Sequence, residues 1–456
     1  MTPTTTRPRL LAAACVAALS SAWLLATPAH AQTLAPMDLT VSDAVRMAIE
    51  HAPRMVEARA KIEAANQNVR ALIALALPTA SAQMQYVRWS HVPEFLIPDG
   101  AGGLRILYPD IPNNYRGRVE ASAPIYTFGR IKSNVNAAKD DVAAAQAGER
   151  LAASDVTLEV MRAYWLLATV RENVSVLVQS LARTDAWVGD VQSRVDTGLL
   201  PPNEVQSAQA QRARQQVRLL QAQNDEALAE LVVARLIGVP AGTAIRTATP
   251  VDQPLPQVIE LENLTVDQLI ARATGQRADH AGLTAQSDGL RESAKATIAN
   301  LNPYAMALGV VEPARPNQRF VPPIDAWHTS WTVDLKFVWP FYDGGRSKAQ
   351  AAVLKAQASG VDAQRDDLES AIGLEIRQRL LDMRFGRAQI NASSEGIAAA
   401  AEARRVVGER FAAGVALSSE VLDAQVALLE AQLERSRLYA ALRLTEAQLI
   451  HAVGER

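Results

Sequence analysis

Trp327-His-Thr-Ser-Trp331-Thr-Val-Asp-Leu-Lys-Phe337-Val-Trp339-Pro340-Phe-Tyr-Asp-Gly-Gly345-Arg346 decides the fold. Trp327, Thr329, Trp331, Val333, Leu335, Phe337 and Trp339 take alternate positions, and His328, Ser330, Thr332, Asp334, Lys336 and Val338 take the others. Period-two alternation is the mark of a strand with one apolar and one mainly polar face. Pro340 ends it, having no N–H to give to a ladder. Asp343-Gly344-Gly345 turns the chain, and from Arg346 an Ala-rich, Pro-free helical pattern runs to the end. Aromatics at both ends of a long apolar face suit a wall with lipid outside and water inside. A strand of a large soluble β-sandwich fits this one stretch as well, and the rest of the chain decides.

The 456 residues carry a net charge of −2 and 5% aromatics. Near neutrality gives no basis for a nucleic-acid partner or a polybasic membrane surface. Residues 1–31 read as a secretory signal: Arg7 and Arg9, an apolar core from Leu10 to Leu25, and Ala29-His30-Ala31 as cleavage site. The single cysteine, Cys15, lies inside it. Acylation of Cys15 is the competing reading, although few apolar residues precede it and an Ala stands where a large aliphatic is usual. With cleavage after Ala31 the mature chain has no thiol for a disulfide or metal site. No later apolar run approaches the roughly 20 residues of a spanning helix.

Upstream the same arrangement recurs. Helix 40–77, with Thr40 and Asp43 as a capping pair and Pro53 as a bend or a restart, leads through Pro78 to strand 80–89. A Pro- and Gly-rich stretch, 90–114, reads as a long loop before strand 115–123. In that strand Tyr115, Gly117, Val119 and Ala121 alternate with Arg116, Arg118, Glu120 and Ser122, a dry face and a wet one. Pro124 to Gly129 and Arg130 then repeat Pro340 to Gly345 and Arg346. Helix 130–196 is about 100 Å long at 1.5 Å per residue, which suits a coiled coil rather than a compact domain. Gly198-Leu199-Leu200-Pro-Pro reverses the chain into helix 203–237, with Asn203 as the expected cap.

An extended connector, 239–263, separates this first repeat (32–238) from a second (264–456) with helices 265–301, 346–412 and 418–452 and strands 304–312 and 327–339. Pro124 and Pro340, Arg130 and Arg346, Arg194 and Arg410, Gly198 and Gly414, and Glu204 and Glu420 are all separated by 216 positions. A duplication of strand pairs and long helices is the strongest signal in the chain. The two shorter helices of each repeat, end to end, match the long one, so the fold class expected is mainly α with a β portion: four strands and four long helical passes per chain. Four strands cannot close a barrel, and an open sheet edge cannot sit in lipid. Two copies give eight strands, three give twelve and leave a lumen.

Leu39-Thr-Val-x-x-Ala44, Ala52-Pro53, Leu77-Pro78, Pro124-Ile-Tyr-Thr-Phe-Gly129, Arg277-Ala-Asp279-His and Gly414-x-x-x-Ser-x-Glu-Val-Leu-Asp423-Ala-Gln resemble, in this order, the TolC-type outer-membrane efflux protein family. The resemblance covers essentially the whole mature chain. Ala52 stands where the family usually has Asn, and Ala278 where it usually has Pro. It implies a homotrimer, with a twelve-stranded barrel in outer-membrane lipid continued by a twelve-helix tunnel in the periplasm. It also implies two partners, a periplasmic adaptor and an inner-membrane pump of RND, ABC or MFS type. No cofactor is expected. The lipid-facing set is Tyr115, Trp327, Trp331, Phe337 and Trp339; the strand–helix turns are Pro124, Gly129, Pro340 and Gly345. Adaptor docking is expected at the tips, Gly198, Leu199 and Leu200 and Gly414, Val415 and Leu417. The family's closing constriction follows a Leu-x-x-x-Asp-x-x-Arg pattern, whose positions here hold Ser419, Asp423 and Val426, so only the Asp matches. Glu420 and Arg410 are second choices for tethering the helices shut.

Two other classes were weighed. No His-Glu-x-x-His, phosphate loop or nucleophile elbow supports an enzyme, and Arg277-Ala-Asp279-His280 reads as a charge cluster on a helix surface. A periplasmic adaptor also uses long helical hairpins, but lacks an amphipathic strand pair before each one.

Overall fold

The computed structural model describes residues 37–98, 100 and 102–455; the expected signal, its cleavage site and Cys15 lie outside them. In chain order the elements are β1 (Met37–Leu39), α1 (Val41–His51), α2 (Pro53–Ala74), β2 (Thr79–Arg88), β3 (Phe95–Pro98), β4 (Leu104–Tyr108), β5 (Asn113–Tyr126), α3 (Arg130–Asp196), α4 (Asn203–Ile237), β6 (Ile245–Thr247), α5 (Pro256–Glu262), α6 (Val266–Gln276), α7 (Ala278–Ile298), β7 (Tyr304–Arg315), β8 (His328–Val338), α8 (Arg346–Ala412) and α9 (Ser418–Val453). A single 3₁₀ turn, Ala299–Leu301, links α7 to β7.

One antiparallel sheet has the order β2-β5-β7-β8. Its register puts Met84 opposite Gly117, Val119 opposite Val311, and Val333 and Leu335 opposite Gly309 and Ala307. Alternate residues of a strand share a face, so all of these lie on one side. Arg116, Arg118, Glu120, Glu312, Thr332, Asp334 and Lys336 lie on the other. From one end of the sheet rise α3 and α8, each 67 residues long. Both start after a glycine in the left-handed conformation, Gly129 at φ 89° and Gly345 at φ 86°, a backbone that glycine adopts without steric penalty.

The main core lies midway along these helices. Tyr164 and Trp165 of α3, edge to face with centroids 5.2 Å apart, are buried among Leu39, Ile237, Ile245, Leu261, Leu269 and Leu449. The Tyr164 hydroxyl donates to the Leu39 carbonyl and accepts from the Thr249 amide, both at 2.9 Å. β1 and β6 pair in parallel beside it. On the far side Arg443 donates to the Val251 carbonyl at 3.0 Å and pairs with Glu446 at 2.5 Å, while Glu446 accepts from the Leu255 amide. Burial pushes the Glu446 carboxyl up and the Arg443 guanidinium down, each against the attraction of the other.

Several sequence expectations are corrected. Residues 90–114 are not a plain loop: Phe95–Pro98 and Leu104–Tyr108 form a hairpin, because two β-prone apolar runs flank a glycine-rich turn. The connector is not extended throughout. Pro256, lacking the N–H that a first helical position leaves unused, starts α5, which buries Val258 and Leu261. In the helix expected over 40–77, Pro53 restarts the run instead of bending it, giving two helices broken at Ala52 (ψ 124°), and the end tightens after Ala74, short of Pro78. That over 265–301 breaks at Arg277 without any proline; the Gly454 backbone packs so closely there that an added Cβ would sit 3.1 Å from the Arg277 nitrogen. Asn203 does not cap α4: it is the first helical residue, preceded by Pro202 at φ −60°.

Gly238 closes α4 at φ 77°, and a Cβ there would lie 2.7 Å from the Cβ of His51. Gly238→Ala is expected to lower the thermal midpoint of helix loss by circular dichroism. Gly414→Ala, left-handed too but facing open space, carries only the conformational strain of roughly 1–2 kcal/mol and should shift the midpoint less.

Candidate conduit: sheet wall, tunnel helices and tip

One face of the sheet is apolar along most of its length, with Arg88 and Arg315 only at the end away from the helices. Trp331 is 72% exposed and Leu335 78%, with Phe337, Val333, Val119 and Met84 beside them. No such face persists in water at this size without a cover. Aromatics gather at its two ends. Tyr86, Tyr115 and Trp327 form a chain of rings at one end, with centroids 5.0 and 6.2 Å apart. Trp339, Phe341, Tyr126 and Phe128 mark the other, where the helices begin. The strand–helix turns, Pro124 to Gly129 and Pro340 to Gly345, carry this second group. The opposite face holds ion pairs, Arg118 with Glu120 at 3.1 Å and Arg116 with Glu312 at 3.6 Å. Among the described residues nothing pairs with the outer edges of β2 and β8.

At the far end of the helices the two turns have the same build. Leu199 donates to the Arg194 carbonyl at 2.8 Å and Val415 to the Arg410 carbonyl at 2.9 Å, over Gly198 at φ 73° and Gly414 at φ 78°. This is the left-handed helix stop that glycine permits. Leu199, Val415 and Leu417 are exposed, and Leu200 packs against a small core. That core consists of Trp187, Val191, Val205, Ala208, Phe411 and Val421.

The structure puts the gate candidates in different roles. Ser419 and Asp423 are exposed on α9, Val426 is half-buried, and Asp423 has no ion pair among the described residues. Arg410 and Glu420 do not join the two hairpins. Glu420 accepts from the Leu417 amide at 3.1 Å, Arg410 donates to the Val415 carbonyl at 3.3 Å, and the two side chains stand 3.8 Å apart. Both therefore stiffen their own turn. Arg194 crosses between hairpins, as does the Thr184 hydroxyl of α3, which donates to the Gln425 side-chain oxygen of α9 at 3.4 Å. The longer reach is that of the Arg194 guanidinium. It donates to the Phe411 carbonyl at 3.3 Å and lies over the Phe411 ring at 4.8 Å, with Trp187 at 4.5 Å from the same ring. Sequence reasoning passed over it because it looked for polar pairs. The signal was there in the offset of 216: Phe411 replaces Val195, and Trp187 replaces Ala403.

Arg277-Ala-Asp279-His280 is not a surface cluster. Arg277 is half-buried and pairs with Asp279 and Glu375, both at 2.8 Å, and donates to the Ala452 carbonyl at the end of α9. Although burial opposes it, these two carboxylates hold Arg277 above its ordinary value. His280 meets Glu369 at 2.8 Å. The group ties α7, α8 and α9 together. Among the described residues no cluster of His, Cys, Asp and Glu could hold a metal, and no helix is long and apolar enough to cross a membrane.

The family model described as "Outer membrane efflux protein" matches residues 44–239 and 269–455. Protein CyaE of Bordetella pertussis is 27% identical over 431 residues, which cover 92% of this chain and 84% of that protein. The fold is similar to VceC from Vibrio cholerae, with a TM-score of 0.74 at 20% identity over 91% of this chain and 96% of that one. It is similar also to the open state of the MtrE outer membrane channel of Neisseria gonorrhoeae, with a TM-score of 0.73 at 18% identity over 91% and 89% of the two chains. The periplasmic-adaptor reading gives way to these findings. The chain belongs to the outer membrane efflux protein family, whose members are passive outer-membrane channels and not enzymes.

Proposed function

We propose that the chain is the exit duct of a tripartite efflux or type I secretion system. Three copies close a twelve-stranded barrel and continue it as a twelve-helix tunnel. The observation that carries this reading is the four-stranded sheet itself: apolar outside, charged inside, unpaired at both edges, and joined directly to two helices of 67 residues. β2 and β8 run in opposite directions, so β8 of one copy can pair with β2 of the next and keep the ladder antiparallel. The signal is cut after Ala31, and the helices stand in the periplasm. The exposed Leu199, Val415 and Leu417 at the tips receive a periplasmic adaptor that couples the duct to an inner-membrane pump. Native mass of the detergent-extracted protein tests the assembly, since a monomer contradicts it.

The barrel reading fixes what a charge on the outer face does. Trp331→Arg near the middle of the band should cost about 2–4 kcal/mol, read as a loss of folded trimer from the outer-membrane fraction. Normal yield would count against lipid at that face.

Closure is assigned to the tip. Asp423 is exposed and unpaired in one chain; threefold symmetry sets three such carboxylates about one axis, where like charges attract cations. Asp423→Ala should lose block by trivalent cations added on the periplasmic side of a planar bilayer. Block of equal strength in both proteins sinks the assignment. Arg194 is the tether between hairpins. Arg194→Ala should raise the resting single-channel conductance, whereas Arg410→Ala, confined to one hairpin turn, should leave it unchanged; the reverse order would return the tether to Arg410.

A further inference from the structure

The β3–β4 hairpin leaves the sheet at the Arg88 and Asn113 ends of β2 and β5, opposite to the helices. It is an addition to the duplicated plan: the segment from Pro78 to Pro124 is nine residues longer than that from Pro303 to Pro340. Its neck is firmly held. Trp89 donates to the Pro112 carbonyl at 2.8 Å, His91 meets Asp110 at 2.7 Å, and Asp110 accepts from the Val92 amide at 3.3 Å. Its base borders the 316–323 loop across a cleft of about 630 Å³ lined by Trp89, Pro93, Tyr108, Val321 and Pro323. Among the described residues, no other helix or strand makes more than marginal contact with it.

The hairpin is apolar on one face and, Arg105 apart, on the other. The register pairs Leu96 with Ile106 and Pro98 with Leu104 on one face. A bulge after Phe95 brings Phe95 and Tyr108 to the same side as Ile97 and Arg105. Phe95, Leu96, Leu104, Ile106 and Tyr108 are all exposed. A lone two-stranded hairpin is marginal in water, and its edges carry none of the lysines or prolines that usually keep an edge from pairing, apart from Pro98. Lipid beside the barrel could cover one face only. A ring of identical copies gives every member a neighbour on each side. β2, from which the hairpin springs, is an edge strand of the sheet, so the hairpin stands at the boundary with the next copy.

On the trimer reading given above, we propose that the β3–β4 hairpins are docking elements between copies, each packed by its two faces against the hairpins of its neighbours over the outer mouth of the duct. They narrow the outlet at the end opposite to the tip, and the short second-repeat loop has no counterpart.

The experiment uses the full chain carrying Leu96→Cys and Phe95→Cys together, one thiol per face, the mature protein having no other cysteine after cleavage at Ala31. Oxidation of the membrane-embedded protein should yield a covalent trimer on denaturing gels. Replacement of 95–108 by a short Gly-Ser turn should raise conductance with the native trimer mass unchanged. A native trimer without covalent products, with unaltered conductance after loop replacement, overturns the inference and leaves the duct standing. Thiols shielded from a water-soluble maleimide yet not cross-linked assign the hairpin to lipid and overturn it as well. A native monomer overturns the duct reading first.

Discussion

An amide without a partner in hydrocarbon costs several kcal/mol, and among the described residues the sheet of this chain ends in two rows of unpaired strand edge, along β2 and β8. Most of the architecture answers to that constraint. An even number of strands leaves the two edges antiparallel to each other, so copies can join without breaking the ladder pattern. The small residues that face β8 across the sheet, Gly309, Ala307 and Ala305, leave the outer surface to Trp331, Val333, Leu335 and Phe337. On the proposed barrel a charged residue in those positions would meet lipid; the register confines Asp334 and Lys336 to the opposite face.

The helices face a different difficulty. A helix of 67 residues has no core of its own, and Ala-rich surfaces bury little area per turn. Stability is therefore concentrated where several elements converge. At the middle, Tyr164, Trp165, α5, both parallel strands and the Arg443–Glu446 pair fasten the connector between the half-length helices. At the tip a cluster of only six buried residues joins the two hairpins. Local opening follows the places with least buried apolar contact, so the tip is the part of the tunnel that separates most readily while the middle holds. Arg194 over Phe411 suits that role. A cation on a ring face contributes about 0.5–1 kcal/mol at an exposed site, enough to bias two states without locking one.

The sequence made the strands, the long helices and their turns legible because each has a local cause: alternation around Trp331, glycine at 129 and 345, unbroken Ala-rich runs. The breaks were less legible. Arg277 interrupts a helix with no proline, since the cause is the distant α9 terminus packed against it. The β3–β4 hairpin hid in a stretch whose prolines and glycines read as loop, although Phe95-Leu-Ile and Leu104-Arg-Ile-Leu were in view. The Arg194–Phe411 contact was illegible for a related reason. Arg410 and Glu420 look like a pair in the sequence and are one, but which hairpin each joins depends on how two helices lie side by side, and no local pattern encodes that.

The duplication itself explains where such differences collect. α3 and α8 share one length, 67 residues, and α4 and α9 differ by a single residue at 35 and 36. Helices that run side by side between the same two levels must match, because one added residue rotates every later side chain by about 100° off its packing face. Substitution occurs along the walls too, with Leu380 and Leu381 where α3 has Tyr164 and Trp165, but insertion is tolerated only at the ends, where nothing downstream depends on register. The repeats diverge there: nine residues at the outer loop, Phe411 for Val195, Asp423 for Ser207 at the tip. A duct needs uniform walls and particular ends, and a duplicated chain reaches both by holding the length of the walls constant and letting the ends differ.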